Sequence, residues 1–116
     1  IYLTAYQFFD QLADYTFRRG ANNAQTLPAF LHCDLLIIDD LGTELNNSFI
    51  NSQLFLCINE RILNKKSTII STNLSLEQIN RSYTERVFSR IIQSYTLLHI
   101  YGEDIRIKKT FSSLDE

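Results

Sequence analysis

The residues best suited to chemistry are two adjacent carboxylates, Asp39 and Asp40, which close the apolar run Leu35-Leu36-Ile37-Ile38. Four branched aliphatics in succession, with no polar alternation, predict a strand buried on both faces, as in the middle of a parallel α/β sheet. Open α/β sheets bind ligands in the crevice beyond the carboxyl ends of their strands, so both aspartates are expected at a ligand-binding rim. Side by side they repel one another, and a bound cation relieves that cost. Magnesium suits the pair, because it takes oxygen ligands, keeps most of its waters and is held through one or two carboxylates together with substrate phosphates.

Further polar groups recur at element ends. A second short β-branched run, Ser67 to Ser71, leads into Thr72-Asn73. An asparagine there can both donate and accept, so it could fix a water beside the acids; it could equally start a turn for its own backbone reasons. From about Thr84, the residues Val87, Phe88, Ile91 and Ile92 form an apolar stripe that leaves Arg86, Ser89, Arg90 and Gln93 outward. Arg86 and Arg90, one turn apart, read either as a solvated face or as a pair whose mutual repulsion an anion would relieve.

These residues need elements to position them. Ile1 to Thr4 reads as a strand. Thr4 is a candidate cap for a helix from Ala5 to Arg19, with Gly20 as its carboxyl cap and Arg18 and Arg19 in its last turn. Pro28 starts a short helical turn within Thr26 to Leu31 that leads into the acidic strand. Ile50, Leu54, Cys57, Ile58 and Ile62 predict an amphipathic helix over Phe49 to Asn64, with Asn59-Glu60-Arg61 on a solvated face. Ser75 and Gln78 have capping-box spacing for a brief helix, Leu76 to Arg81. Tyr95 to Tyr101 reads as a last strand, with the tail from Lys108 frayed.

The order of these segments resembles the Walker B, sensor 1, arginine-finger and sensor 2 series of the AAA+ ATPases of the DnaC/IstB group: Asp39-Asp40-Leu41-Gly42, then Ser67 to Ser75, then Glu85 to Arg90, then Gly102-Glu103-Asp104-Ile105-Arg106. The resemblance implies an α/β P-loop NTPase fold, a three-layer αβα sandwich with a parallel sheet. By it, Asp39 aids Mg2+ through water, Asp40 polarises the attacking water and Asn73 positions that water. Arg90 reaches the γ-phosphate of a neighbouring protomer with Arg86 as its helper, Arg106 contacts nucleotide in its own subunit, and Asn59-Glu60-Arg61 lies toward a subunit boundary, the alternative to a solvated face. ATP and Mg2+ are the implied cofactors. Replicative helicase, single-stranded DNA and further copies of the chain are the implied partners. The implied function is to load or remodel a replicative helicase, with an IstB-like transposition helper or a non-hydrolysing binding module as alternatives. Many AAA+ enzymes carry glutamate where this chain has Asp40. That shortening by about one bond length weakens water activation. The string Gly-x-x-x-x-Gly-Lys-[Ser/Thr] does not occur, and none of the three glycines precedes a lysine. The chain is therefore expected to be the carboxy-terminal part of a single ATPase domain, residues 1–116, with the P-loop strand and helix missing. Its sheet would then have two open edges, favouring self-association.

Composition bounds the rest. The 116 residues are 45% hydrophobic and 21% charged, ordinary for one soluble domain. A net charge of -2 gives no global attraction to nucleic acid, so any such contact needs a local basic patch, for which Arg18 and Arg19 beside the aromatics of the first helix are candidates. There is no apolar run of membrane-spanning length and no secretory head, so the chain reads as cytoplasmic. Cys33 and Cys57 read as reduced, buried fillers, and His32 and His99 as core histidines.

Overall fold

A computed structural model describes residues 1–18, 24–42 and 47–100. Its elements are β1 (Tyr2–Thr4), α1 (Ala5–Phe17), α2 (Thr26–His32), β2 (Leu35–Leu41), α3 (Ser48–Leu63), β3 (Ser67–Thr72), α4 (Leu76–Ser82) and α5 (Glu85–Ser94). The strands form one parallel sheet in the order β1-β2-β3, with the acidic strand in the middle.

Local sequence explains most boundaries. Thr4 and Gln7 form a reciprocal capping box at the start of α1, the Gln7 N–H donating to Thr4 Oγ1 at 3.2 Å and the Thr4 N–H to Gln7 Oε1 at 3.0 Å. Ser75 and Gln78 do the same for α4. The carboxyl end of α3 closes through Lys65, at φ 56°, with the Lys66 N–H reaching Arg61 O at 2.8 Å and the Lys65 N–H reaching Ile62 O at 3.1 Å. That is a Schellman closure with lysine where glycine is commoner. α1 ends at a cap on Arg18, before Gly20, which lies outside the described residues together with Arg19.

The crossovers α1–α2 and α3 pack against one another, so both cover the same face of the sheet, as right-handed connections between successively added strands require. Between them sits the core: Phe8, Phe9 and Leu12 of α1, Phe30 of α2, Leu36 and Ile38 of β2, and Leu54, Cys57 and Ile58 of α3. α5 stacks on the outside of α3, burying Val87 and Ile91.

This arrangement corrects several expectations. β2 is not buried on both faces: Leu36 and Ile38 are fully buried, whereas Leu35 is 40% exposed and Ile69, paired with Ile37 on the neighbouring strand β3, is 53% exposed. With both crossovers on one side, no described element covers the other. Of the strand expected over Tyr95 to Tyr101, residues 96–100 are not a strand, since a strand needs a ladder partner and none lies beside them among the described residues, and Tyr101 lies outside those; Leu98 and Ile100 are exposed. His32 and His99 are exposed rather than core residues. Arg61 is neither solvated nor at a boundary, being fully buried. Its guanidinium donates to Phe30 O at 2.8 Å, Ser67 O at 2.7 Å and Thr68 Oγ1 at 2.8 Å, which ties α2, α3 and β3 together. Ile92 is exposed and Arg90 half-buried, so the apolar stripe of α5 is narrower than its sequence suggests.

Candidate functional site at the carboxyl rim of the sheet

The rim is built by a β-bulge. From Ile38 to Leu41, β2 takes three residue steps while β3 takes two, from Ile70 to Thr72. The extra residue lets Asp40 adopt φ 64°, a left-handed conformation that aspartate tolerates better than most side chains. Two hydroxyl contacts latch the ends of the strands. Thr72 Oγ1 donates to Leu41 O at 2.6 Å and accepts the Leu74 N–H at 3.1 Å. Gly42 follows at φ 106°, a conformation that favours glycine, and a Cβ there would lie 2.6 Å from Leu74 Cδ1, so the Leu74 side chain would have to shift.

Asp39 is half-buried on the uncovered face, in register with Thr4 of β1. Tyr2 Oη donates to its Oδ2 and Ser71 Oγ to its Oδ1. The Ser71 bond, then the Tyr2 bond, holds this carboxyl below its ordinary pKa against the opposing effect of partial desolvation. The same contact raises the Tyr2 phenol, which keeps its proton while bonded to the carboxylate. Asp40 is exposed, and its N–H donates to Ser71 Oγ at 2.9 Å. Ser71 thus links both aspartates, one through its carboxylate and the other through its backbone.

Asn73 is exposed at the bend just past the Leu41–Thr72 pairing, on the same rim as Asp39 and Asp40. All three therefore stand at the carboxyl ends of the adjacent strands β2 and β3. Arg86 and Arg90 ride instead on α5, which packs on α3 over the covered face. The Arg86 guanidinium lies 3.9 Å from the centroid of the Phe55 ring, a cation–π contact, and neither arginine is a partner of Asp39. Arg106 lies outside the described residues. Arg18 is exposed and pairs with Asp14 at 3.2 Å. Tyr2 and Ser71 were not singled out from the sequence. The signal lay in register, since Tyr2, Ile37 and Ile69 are aligned across the three strands, which brings Ser71 level with Asp39 two residues further on.

The donor set is oxygen only, which suits a hard cation. Among the described residues there is no group of three or more His, Cys, Asp or Glu able to hold a metal, so a cation here would take the remainder of its ligands from water or phosphate. That division of ligands fits magnesium.

Residues 1–113 match the family described as IstB-like ATP binding protein. The chain belongs to this family. Two solved structures are similar. The crystal structure of the DnaC helicase loader superposes with a TM-score of 0.72 at 26% identity, over 84% of this chain and 58% of that one. AMPPCP-bound DnaA from Aquifex aeolicus superposes with a TM-score of 0.66 at 19% identity, over 99% of this chain and 35% of that one. No curated protein sequence matches. The IstB-like chain therefore has the parallel α/β fold of the AAA+ P-loop NTPases, and it spans rather more than half the length of the DnaC loader chain. No described helix is long and apolar enough to cross a membrane.

Proposed function

We propose that this chain is the carboxy-terminal part of an AAA+ ATPase domain that loads or remodels a replicative helicase on DNA in the cytoplasm. The observation that carries the reading is an ionised carboxylate, Asp39, fixed by two hydroxyls on the sheet rim beside Asp40 and Asn73. A phosphate-binding loop supplied from outside these 116 residues completes nucleotide binding in this reading. Magnesium, when bound with ATP, supplies charge neutralisation at the phosphates. Asp39 would hold that ion through hydrogen bonds accepted from water. Asp40, exposed and turned by the bulge, accepts the proton of the attacking water, and the Asn73 amide holds that water in line. Arg90, on the outer helix α5, offers its charge across a subunit boundary, with Arg86 beside it on Phe55; Arg106 contacts phosphate within its own subunit.

Steady-state ATP hydrolysis by the whole protein tests this. Asp40→Asn lowers kcat by about 10²–10⁴ while nucleotide binding persists. Arg90→Ala lowers it by about 10³ or more. Mixing the two variants restores part of the activity if Arg90 acts in trans. Unchanged turnover in Asp40→Asn contradicts the assignment. The match to the IstB-like family over residues 1–113 favours a second reading, a transposition helper, with the same chemistry and a different partner. Capture of a replicative helicase or of a transposase by the whole protein decides between them. Single-stranded DNA is a proposed partner in either case.

A further inference from the structure

Asp39 is gripped from both sides of its strand. β1 supplies the Tyr2 phenol to Oδ2, and β3 supplies the Ser71 hydroxyl to Oδ1. A carboxylate offers about four acceptor positions, two on each oxygen. Tyr2 takes one on Oδ2 and Ser71 one on Oδ1, and the Asp40 backbone N–H also acts on the carboxylate, so about one position is left. Ser71 cannot turn away cheaply, because its oxygen also accepts the Asp40 N–H at 2.9 Å, which ties its position to the bulge. Tyr2 is 59% exposed, so its ring contributes little to the core. Its specific contact is made at the far end of the side chain, by the hydroxyl, on the rim.

We propose that Tyr2 and Ser71 are positioning residues, a two-hydroxyl clamp that fixes the plane of the Asp39 carboxylate and leaves its remaining acceptor position for a water of a hydrated divalent cation. The proposal rests on the reading of Asp39 as the metal-side acid. It adds a specificity to that reading. With Tyr2, Ser71 and the Asp40 N–H on it, the carboxylate lacks a free position on each oxygen with which to chelate a bare ion, which is the mode calcium favours and magnesium, with its tightly held waters, does not need. The clamp therefore selects a small, hydrated cation. Outer partners of this kind commonly change metal affinity by about 10–100-fold when removed.

The test is binding of a non-hydrolysable ATP analogue to the whole protein, titrated with Mg2+, with Ca2+ and in EDTA. In Tyr2→Phe and Ser71→Ala the half-saturating Mg2+ rises roughly tenfold, the preference for Mg2+ over Ca2+ narrows, and affinity in EDTA stays at the wild-type value. Ser71→Thr, which keeps the hydroxyl on a side chain suited to a strand, behaves as wild type. Tyr2→Phe removes a single oxygen and decides alone should Ser71→Ala disturb the bulge. The clamp is overturned if Tyr2→Phe keeps the wild-type Mg2+ half-saturation and Mg2+ over Ca2+ preference while Asp39→Asn loses Mg2+ dependence. If Asp39→Asn itself leaves Mg2+ dependence unchanged, the metal-side reading of Asp39 falls, and the clamp with it.

Discussion

A carboxylate held by two hydroxyls is chosen partly by its neighbours in the chain and partly by residues far away in it. Asp39, Asp40 and Asn73 were legible in the sequence because each stands at the end of an apolar run, a purely local pattern. Tyr2 and Ser71 were not, because they lie 37 and 32 residues from Asp39 and meet it only through strand register. The cysteines show the same division. Burial was predicted for both, and Cys57 is buried, whereas Cys33 is half-buried at the end of α2. Desolvation pushes the Cys57 thiol up to about 12. The unfolded thiol ionises near 8.5 and the folded one does not. Its contribution to stability is therefore full below about pH 8.5 and declines as the pH rises from there toward the folded value. Alkylation of the native chain at pH 8 should label Cys33 well before Cys57, read by mass spectrometry of peptides. Equal rates for the two would contradict the burial of Cys57.

Elements followed the sequence where short-range chemistry decides them. The Thr4 cap, the capping-box spacing of Ser75 and Gln78 and the periodicity of α3 placed three helices within a residue or two of their observed ends. The segment after Tyr95 did not follow. An apolar stretch becomes a strand only with a ladder partner, and its sequence says nothing of whether one is there. Arg61 escaped for a related reason: on a helical wheel it is an ordinary cation near a helix end, and only the packing of α2 and β3 around α3 surrounds it with acceptors. Arg61→Ala leaves Phe30 O, Ser67 O and Thr68 without this donor and opens a cavity. A loss of about 3–5 kcal/mol in urea unfolding is expected. A loss below about 1 kcal/mol would mean that the guanidinium is not the tie it resembles.

At the scale of the molecule, the sheet is covered on one face and open on the other among the described residues. Leu35 and Ile69 stand on the open side, and β3 is an edge. Open edges with apolar neighbours associate. The 116-residue chain on its own should sediment as concentration-dependent oligomers; a monomer with one cooperative unfolding transition would contradict this. The parallel layout and its central acidic strand were expected from the residues, while the one-sided covering was not, because the aliphatic run in β2 reads the same whichever face is covered. Asp39, the proposed metal-side acid, stands on that open face. The most direct measure of its role is calorimetric titration of Mg2+ with a non-hydrolysable ATP analogue into the whole protein, wild type against Asp39→Asn. Asp39 as the metal-side acid predicts that the substitution weakens the Mg2+-dependent part of binding by about tenfold or more and leaves binding in EDTA unchanged. Identical Mg2+ dependence in the two proteins would contradict it.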